Sequence, residues 1–157
     1  MRRLSLLLVA LVVLGNGLVL AGQSVPLLAE KTVNYRTGDK IALDVKVGTV
    51  TVSGVKMTVG GTGGIGSAMK ATLTRMDPLT QTVLQFDFDA ESPKGWGKWH
   101  VTYSVELLDA NGEMIERFSD KDSYEAEAKT SNFKYVTLKA VLPLIDKVRI
   151  KFQAAAD

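Results

Sequence analysis

The side chains able to do chemistry are few and scattered. The chain has one histidine, His100, and no cysteine. Without cysteine there is no disulfide framework, thiolate metal site, sulfur nucleophile or lipid-modified cysteine. Nucleophilic chemistry at His100 would need a serine and an aspartate built around it, and there is no G-x-S-x-G elbow to present the serine. A histidine-based metal site would need partner ligands that the chain lacks. Asp87, Asp89 and Glu91 recur two residues apart, on what alternation predicts to be one strand face. Hard cations take several carboxylate oxygens, but usually from an enclosing loop. On a strand, the same row is expected to be solvated and to discourage edge pairing. No pair among the 17 carboxylates is singled out for acid–base work. The expectation is a protein that is not an enzyme, with no catalytic, cofactor-binding or metal-binding residues.

The loop Ser92-Pro93-Lys94-Gly95-Trp96-Gly97-Lys98 offers a different kind of chemistry. Both tryptophans of the chain, Trp96 and Trp99, fall within four positions. Gly95 and Gly97 give Trp96 little cover, and Pro93 stiffens the entry. Trp99 shares parity with Val101 and Tyr103, so it is expected to face the core and anchor the strand. Trp96, with Lys94 and Lys98 beside it, is the candidate contact surface, because aromatic rings bring large apolar area at low entropy cost. The competing expectation folds Trp96 back as a lid over the end of the domain.

Gly61-Thr62-Gly63-Gly64-Ile65-Gly66 matches G-x-G-x-x-G and looks like the TGGIG stretch of short-chain dehydrogenases. That resemblance would imply a nicotinamide cofactor. Two features oppose it. The following segment alternates, with Met69, Ala71 and Leu73 against Lys70, Thr72 and Thr74, and threonine favours strands. No run of αβ units follows to complete a doubly wound sheet. A glycine loop between strands, with no cofactor, is the expectation.

The elements that must position these residues are strands. Val101, Tyr103, Val105 and Leu107 alternate with His100, Thr102, Ser104 and Glu106, the period of a half-buried strand. Asp109-Ala110-Asn111-Gly112 supplies a turn, and Met114 to Phe118 can return as the partner. Leu84, Phe86 and Phe88 form another inward row, as do Val148, Ile150 and Phe152. Ile41 to Val59 predicts two or three short strands or one strongly bent pair, because inward parity switches after Gly48 and again at Ser53-Gly54, as a bulge or tight bend requires. Thr32 to Tyr35 predicts a short edge strand. Arg36 to Asp39, Met76 to Thr80 and Ser119 to Asp122 read as turns, with a half-exposed strand through Tyr124, Ala126 and Ala128. Phe133 to Leu144 reads as a strand or crossover with at most one helical turn. Gln153 to Asp157 is expected to fray.

Seven to nine short strands with regular turns and no long helix predict an all-β, antiparallel, immunoglobulin-like sandwich. Val105 to Gly112 resembles the L-x-D-x-x-G hairpin of bacterial extracytoplasmic sandwich domains of the FxLyD type, with Val105 and Leu108 where that motif has phenylalanine and tyrosine. The resemblance covers about ten residues. It implies a fold and an exported setting, and no catalytic residues.

The first residues read as a secretory signal: Arg2 and Arg3, an apolar run from Leu4 to Leu14, helix breakers at Gly15-Asn16-Gly17, and Val19-Leu20-Ala21 before a cut. The predicted organisation is a signal peptide over 1–21, a lead-in over 22–39 and a β-sandwich domain over 40–157. An uncleaved signal would be the one route to membrane attachment, since no charge occurs from Leu4 to Ala29. The whole chain carries 19 Lys+Arg against 17 Asp+Glu. Losing Arg2 and Arg3 leaves 17 against 17, with no general surplus for nucleic acid. The expected location is periplasmic or secreted. The expected function is a non-catalytic module for protein–protein or structural contact in the cell envelope, with glycan binding through Trp96 as the alternative. N-terminal sequencing of the mature protein is expected to start at Gly22; intact Met1–Ala21 in a membrane fraction would show an anchor instead.

Overall fold

The computed structural model describes residues 27–60 and 75–157. The expected signal and its cleavage point, and the glycine motif with its following strand, lie outside the described residues. Eight strands are present among the described residues: β1 (Leu28–Asn34), β2 (Lys40–Val47), β3 (Val50–Val59), β4 (Gln81–Glu91), β5 (Trp99–Leu108), β6 (Met114–Tyr124), β7 (Ala128–Leu138) and β8 (Lys147–Ala156). A short 3-10 helix, Leu142–Leu144, precedes β8. The strands form two antiparallel four-stranded sheets that pack as a sandwich: a front sheet ordered β1-β8-β5-β6 and a back sheet ordered β2-β3-β4-β7. In the constant-type immunoglobulin order the first strand pairs with the second, whereas β1 here pairs with β8. The likeness to that fold lies in the two packed layers, not in the strand order.

The inward rows expected from alternation meet between the sheets. Phe88 from the back sheet, with Phe86 stacked beside it, packs against Tyr103 and Phe152 from the front, all essentially inaccessible. Phe88 and Tyr103 lie 4.7 Å apart by ring centroids, and Tyr103 meets Phe152 edge-on at 5.5 Å. Such tilted and edge-on contacts suit the aromatic quadrupole. The β5–β6 turn forms as expected. The Asp109 carboxylate accepts from the Asn111 and Glu113 amides at 2.9 and 2.8 Å, and Gly112 takes φ 83°. Asp77 nucleates the turn before β4 in the same way, accepting from the Leu79 amide and the Thr80 hydroxyl. The two parity switches resolve into the β2–β3 hairpin turn at Gly48 and a register shift between Val52 and Gly54.

Four expectations change. Ser119 to Asp122 is not a turn, because β6 runs through it to Tyr124. The inward row of β6 reads Glu116, Phe118, Asp120, Asp122 and Tyr124, from its register with β5. These residues lie over the sandwich edge, beside β7, where inward acids find partners instead of core. Thr137 donates to Glu116 at 2.7 Å, and Ser131 and Lys129 donate to Asp122. Inward charge on an edge strand also resists pairing with other chains. The strand expected through Tyr124, Ala126 and Ala128 is instead the β6–β7 crossing, with Ala126 at φ 49°. Gln153 to Ala156 does not fray, because β8 is paired with β5 to Ala156 and with β1 to Gln153. The lead-in expected over 22–39 also contributes β1 to the front sheet, so the described sandwich begins ahead of residue 40.

Gly48 sits under the half-buried ring of Trp99. A Cβ there would lie 2.4 Å from Trp99 Cε3, and the backbone φ is 58°. Gly48→Ala is expected to cost about 2 kcal/mol in urea unfolding, from left-handed strain and overpacking together. A shift in Trp99 emission should accompany it. At the β6–β7 edge Phe118 stacks on Tyr135, with centroids 4.4 Å apart. Among the described residues the buried Tyr135 hydroxyl has no hydrogen-bond partner. Tyr135→Phe is therefore expected to leave stability unchanged or raise it by up to about 1 kcal/mol; a loss larger than that would show that the hydroxyl is satisfied.

Candidate functional site

The loop between β4 and β5 carries the candidate contact residues to one end of the sandwich. Gly95 and Gly97 take φ 88° and 72°, turning the chain tightly on either side of Trp96. Trp96 is 59% exposed, so it stands out from the domain end and does not fold back as a lid. Lys94 and Lys98 are also exposed. Trp99 behaves as its parity predicts and packs against the core. Its indole Nε1 donates to the Trp96 carbonyl at 3.1 Å. The loop backbone is thereby tied to a side chain anchored over Gly48. The two indoles do different work: one holds the loop, the other is presented by it. At the loop's start Ser92 is buried, its hydroxyl 3.4 Å from that of Thr49 and its amide donating to the Glu127 carbonyl. A polar cleft of ≈380 Å³ opens beside it, lined by Lys46, Thr49, Glu91, Lys94 and Glu127 among others.

His100 lies on the outer face of the front sheet, as expected. Its Nδ1 is 2.8 Å from the Ser123 hydroxyl, and its Nε2 is 3.3 Å from Asp157 Oδ1. The sequence gives no hint of this grouping. Ser123 sits opposite His100 in the β5–β6 register, and Asp157 follows a β8 that was expected to fray. The ring is turned the opposite way from a hydrolytic triad, in which serine meets Nε2 and aspartate meets Nδ1. The Asp157 side chain is 63% exposed, a solvated carboxylate where a triad holds a buried one. Lys98 also reaches Asp157, at 4.0 Å, so this group closes the base of the Trp96 loop.

Two of the three acids in the row on β4, Asp87 and Asp89, have partners on neighbouring residues. Asp87 accepts from Gln85 and Asn132. Asp89 accepts from Thr130 and pairs with Lys40 at 2.6 Å. Hydrogen bonds from Lys40 and Thr130 hold the Asp89 carboxyl below its usual range. No grouping of three or more potential metal ligands occurs among the described residues.

Two polar systems were not legible in the sequence. Between the sheets, Ser131 donates to Asp122, so Tyr124 must donate to Ser131 and Tyr103 to Tyr124, each step spanning 2.5 Å. Burial pushes both phenols up. Burial also opposes ionisation of Asp122, but bonds from Lys129, Ser131 and the Ser123 amide outweigh it and lower that carboxyl. Lys129 additionally lies 4.8 Å from the Tyr124 ring centroid.

The second system surrounds Glu106, which is fully buried although it sits on the outer face of the front sheet. Arg117 on β6 and Arg149 on β8 stand directly opposite it. Arg117 donates to Oε1 through Nε and Nη2, Lys151 donates to Oε1 at 2.8 Å, and Arg149 Nε donates to Oε2 at 2.6 Å. Burial raises the Glu106 pKa, but the bonds from Lys151, Arg117 and Arg149 outweigh it and bring it down to about 2. A depressed folded-state value means stability that is present above the unfolded pKa and lost as pH falls. Unfolding free energy is expected to drop by about 3 kcal/mol between pH ~4.5 and pH ~2 through this group. Glu106→Gln should flatten that part of the stability–pH curve; an unchanged slope would show that other carboxylates carry it.

No protein-family model and no curated protein matches the chain. Among solved structures it is similar to the enzymatically active domain of tailspike protein 4 of bacteriophage CBA120. The two are 13% identical, the match covers 83% of this chain and 17% of that one, and the TM-score is 0.18. A likeness of that size carries no argument about fold or activity.

Proposed function

We propose that this chain is an exported, non-catalytic β-sandwich module, periplasmic or secreted, that makes protein–protein contacts in the cell envelope through the Trp96 loop. The exposed Trp96 on a tied backbone carries this reading. A solvated indole held between two left-handed glycines is presented at little entropic cost, the property that makes tryptophan a frequent anchor of interfaces. The flanking Lys94 and Lys98 supply a charged rim. The inverted ring of His100 and the solvated Asp157 favour a non-catalytic role over hydrolysis. A sugar-binding platform would use two exposed, coplanar tryptophans, and Trp99 is instead packed against the core. Glycan binding remains the second reading because of the polar cleft that Lys94 lines.

Trp96→Ala is expected to leave the unfolding midpoint essentially unchanged. In Trp99→Phe the remaining indole should be quenched readily by acrylamide, and in Trp96→Phe poorly. A photo-crosslinking residue at position 96, introduced in growing cells, should yield a discrete protein adduct. The same residue at Leu79, 84% exposed on another turn, should not. Glycan-array binding that vanishes in Trp96→Ala, with no protein adduct, would decide for the sugar reading.

A further inference from the structure

The charges of this protein are unevenly placed. The strand register puts Arg117, Lys121, Lys147, Arg149 and Lys151 on the outer face of the front sheet, against Glu30 and Glu106. Asp157, which reaches His100 on this same face, makes it five cations against three carboxylates, a surplus of two among the described residues, and Lys147 is paired with Asp146 at 3.7 Å. Among the described residues, the outer side of the back sheet carries Lys40, Lys46, Lys56 and Lys134 against Asp44, Asp87, Asp89 and Glu91, and balances. The front-sheet surplus is also held in place. Glu106 neutralises one charge yet fixes three cations around it. A guanidinium has five donors, and Arg149 spends only Nε on Glu106. Next to this cluster the face dips into a mainly apolar depression of ≈540 Å³, lined by Leu28, Glu30, Thr102, Ser104, Lys151 and Gln153 among others. Leu28 is 71% exposed at its rim.

We infer that the outer face of the front sheet is a docking surface for an acidic segment of a partner protein, with carboxylates seated on Arg149, Arg117 and Lys151 and an apolar side chain in the adjoining depression. Charge complementarity selects the sign of the partner. The fixed cations select its kind. A fluid anionic leaflet gains as much from loosely held lysines, whereas guanidinium forks locked by a buried carboxylate suit carboxylates at set positions on a peptide. This surface is separate from the Trp96 loop and does not rest on the function proposed for it.

The probe is a fluorescein-labelled oligoglutamate peptide, titrated with the full chain at low and physiological salt. Two charge swaps are compared, each changing net charge equally and neither touching the Glu106 contacts: Lys121→Glu with Lys147→Glu on the front face, and Lys46→Glu with Lys56→Glu on the back. The front swap is expected to weaken binding by about tenfold or more, and the back swap by less than about twofold. Should the front swap not fold by circular dichroism, Lys121→Gln with Lys147→Gln replaces it, with a smaller loss in the same order. Absence of binding by the unaltered chain, or equal loss in both swaps, overturns the inference. Binding to phosphatidylglycerol vesicles in place of the peptide also overturns it, and would give the face to a lipid surface.

Discussion

A buried carboxylate on the solvent side of a sheet is tolerable only if its charge is met in place, and Glu106 makes that demand of three strands at once. Its partners are Arg117 on β6 and Arg149 and Lys151 on β8, so β5 is bound to both neighbours by side chains as well as by the ladder. A slip of one residue in either pairing would turn the arginine toward the core and strand the carboxylate, in addition to exposing the inward row. The same strand carries Val101, Tyr103, Val105 and Leu107 into the centre of the sandwich. Both faces of β5 are therefore committed, and the register of the front sheet follows from them.

The β6–β7 edge is closed by a different device. Here the two sheets face each other through polar side chains: the hydroxyl relay from Tyr103 to Asp122, the Lys129–Asp122 pair at 2.7 Å and the Thr137–Glu116 bond. A hydrogen-bonded network of this kind in a low-dielectric setting holds its members in place. It also leaves β6 an unattractive edge for another chain.

This difference accounts for what the sequence discloses. Alternation in Val101–Leu107, Leu84–Phe88 and Val148–Phe152 announces strands because those rows face an apolar layer, and the Asp109–Gly112 turn announces itself by residue type. The sandwich class was legible on those grounds. Ser119 to Asp122 was not, since an edge strand whose inward positions are acidic has the composition of a turn. Its true partners, Ser131 and Lys129, lie on a strand of the other sheet. The ordered end of β8 was likewise hidden, because pairing on both sides, not composition, fixes it. At the candidate site the exposure of Trp96 could be read from its glycine neighbours, and the anchoring of Trp99 from parity. The tie between the two indoles, and the meeting of Ser123, His100 and Asp157, depend on register and on where the chain finishes, which no local pattern records.

The Trp96 loop owes its position to the core more than to its own sequence. Trp99 rests on Gly48, a contact that any side chain at position 48 would block, and from there its Nε1 holds the Trp96 carbonyl. Lys98 and His100 both reach Asp157 at the end of β8. The loop is thus moored on one side to the β2–β3 turn and on the other to the front sheet. His100 is the first outer-face residue of β5, and Glu106 stands three outward positions further along the same strand. The loop that presents the indole and the basic face are consequently joined through one strand. The distance along β5 from the loop's mooring at Trp99 to Glu106 is set by the rise of the strand.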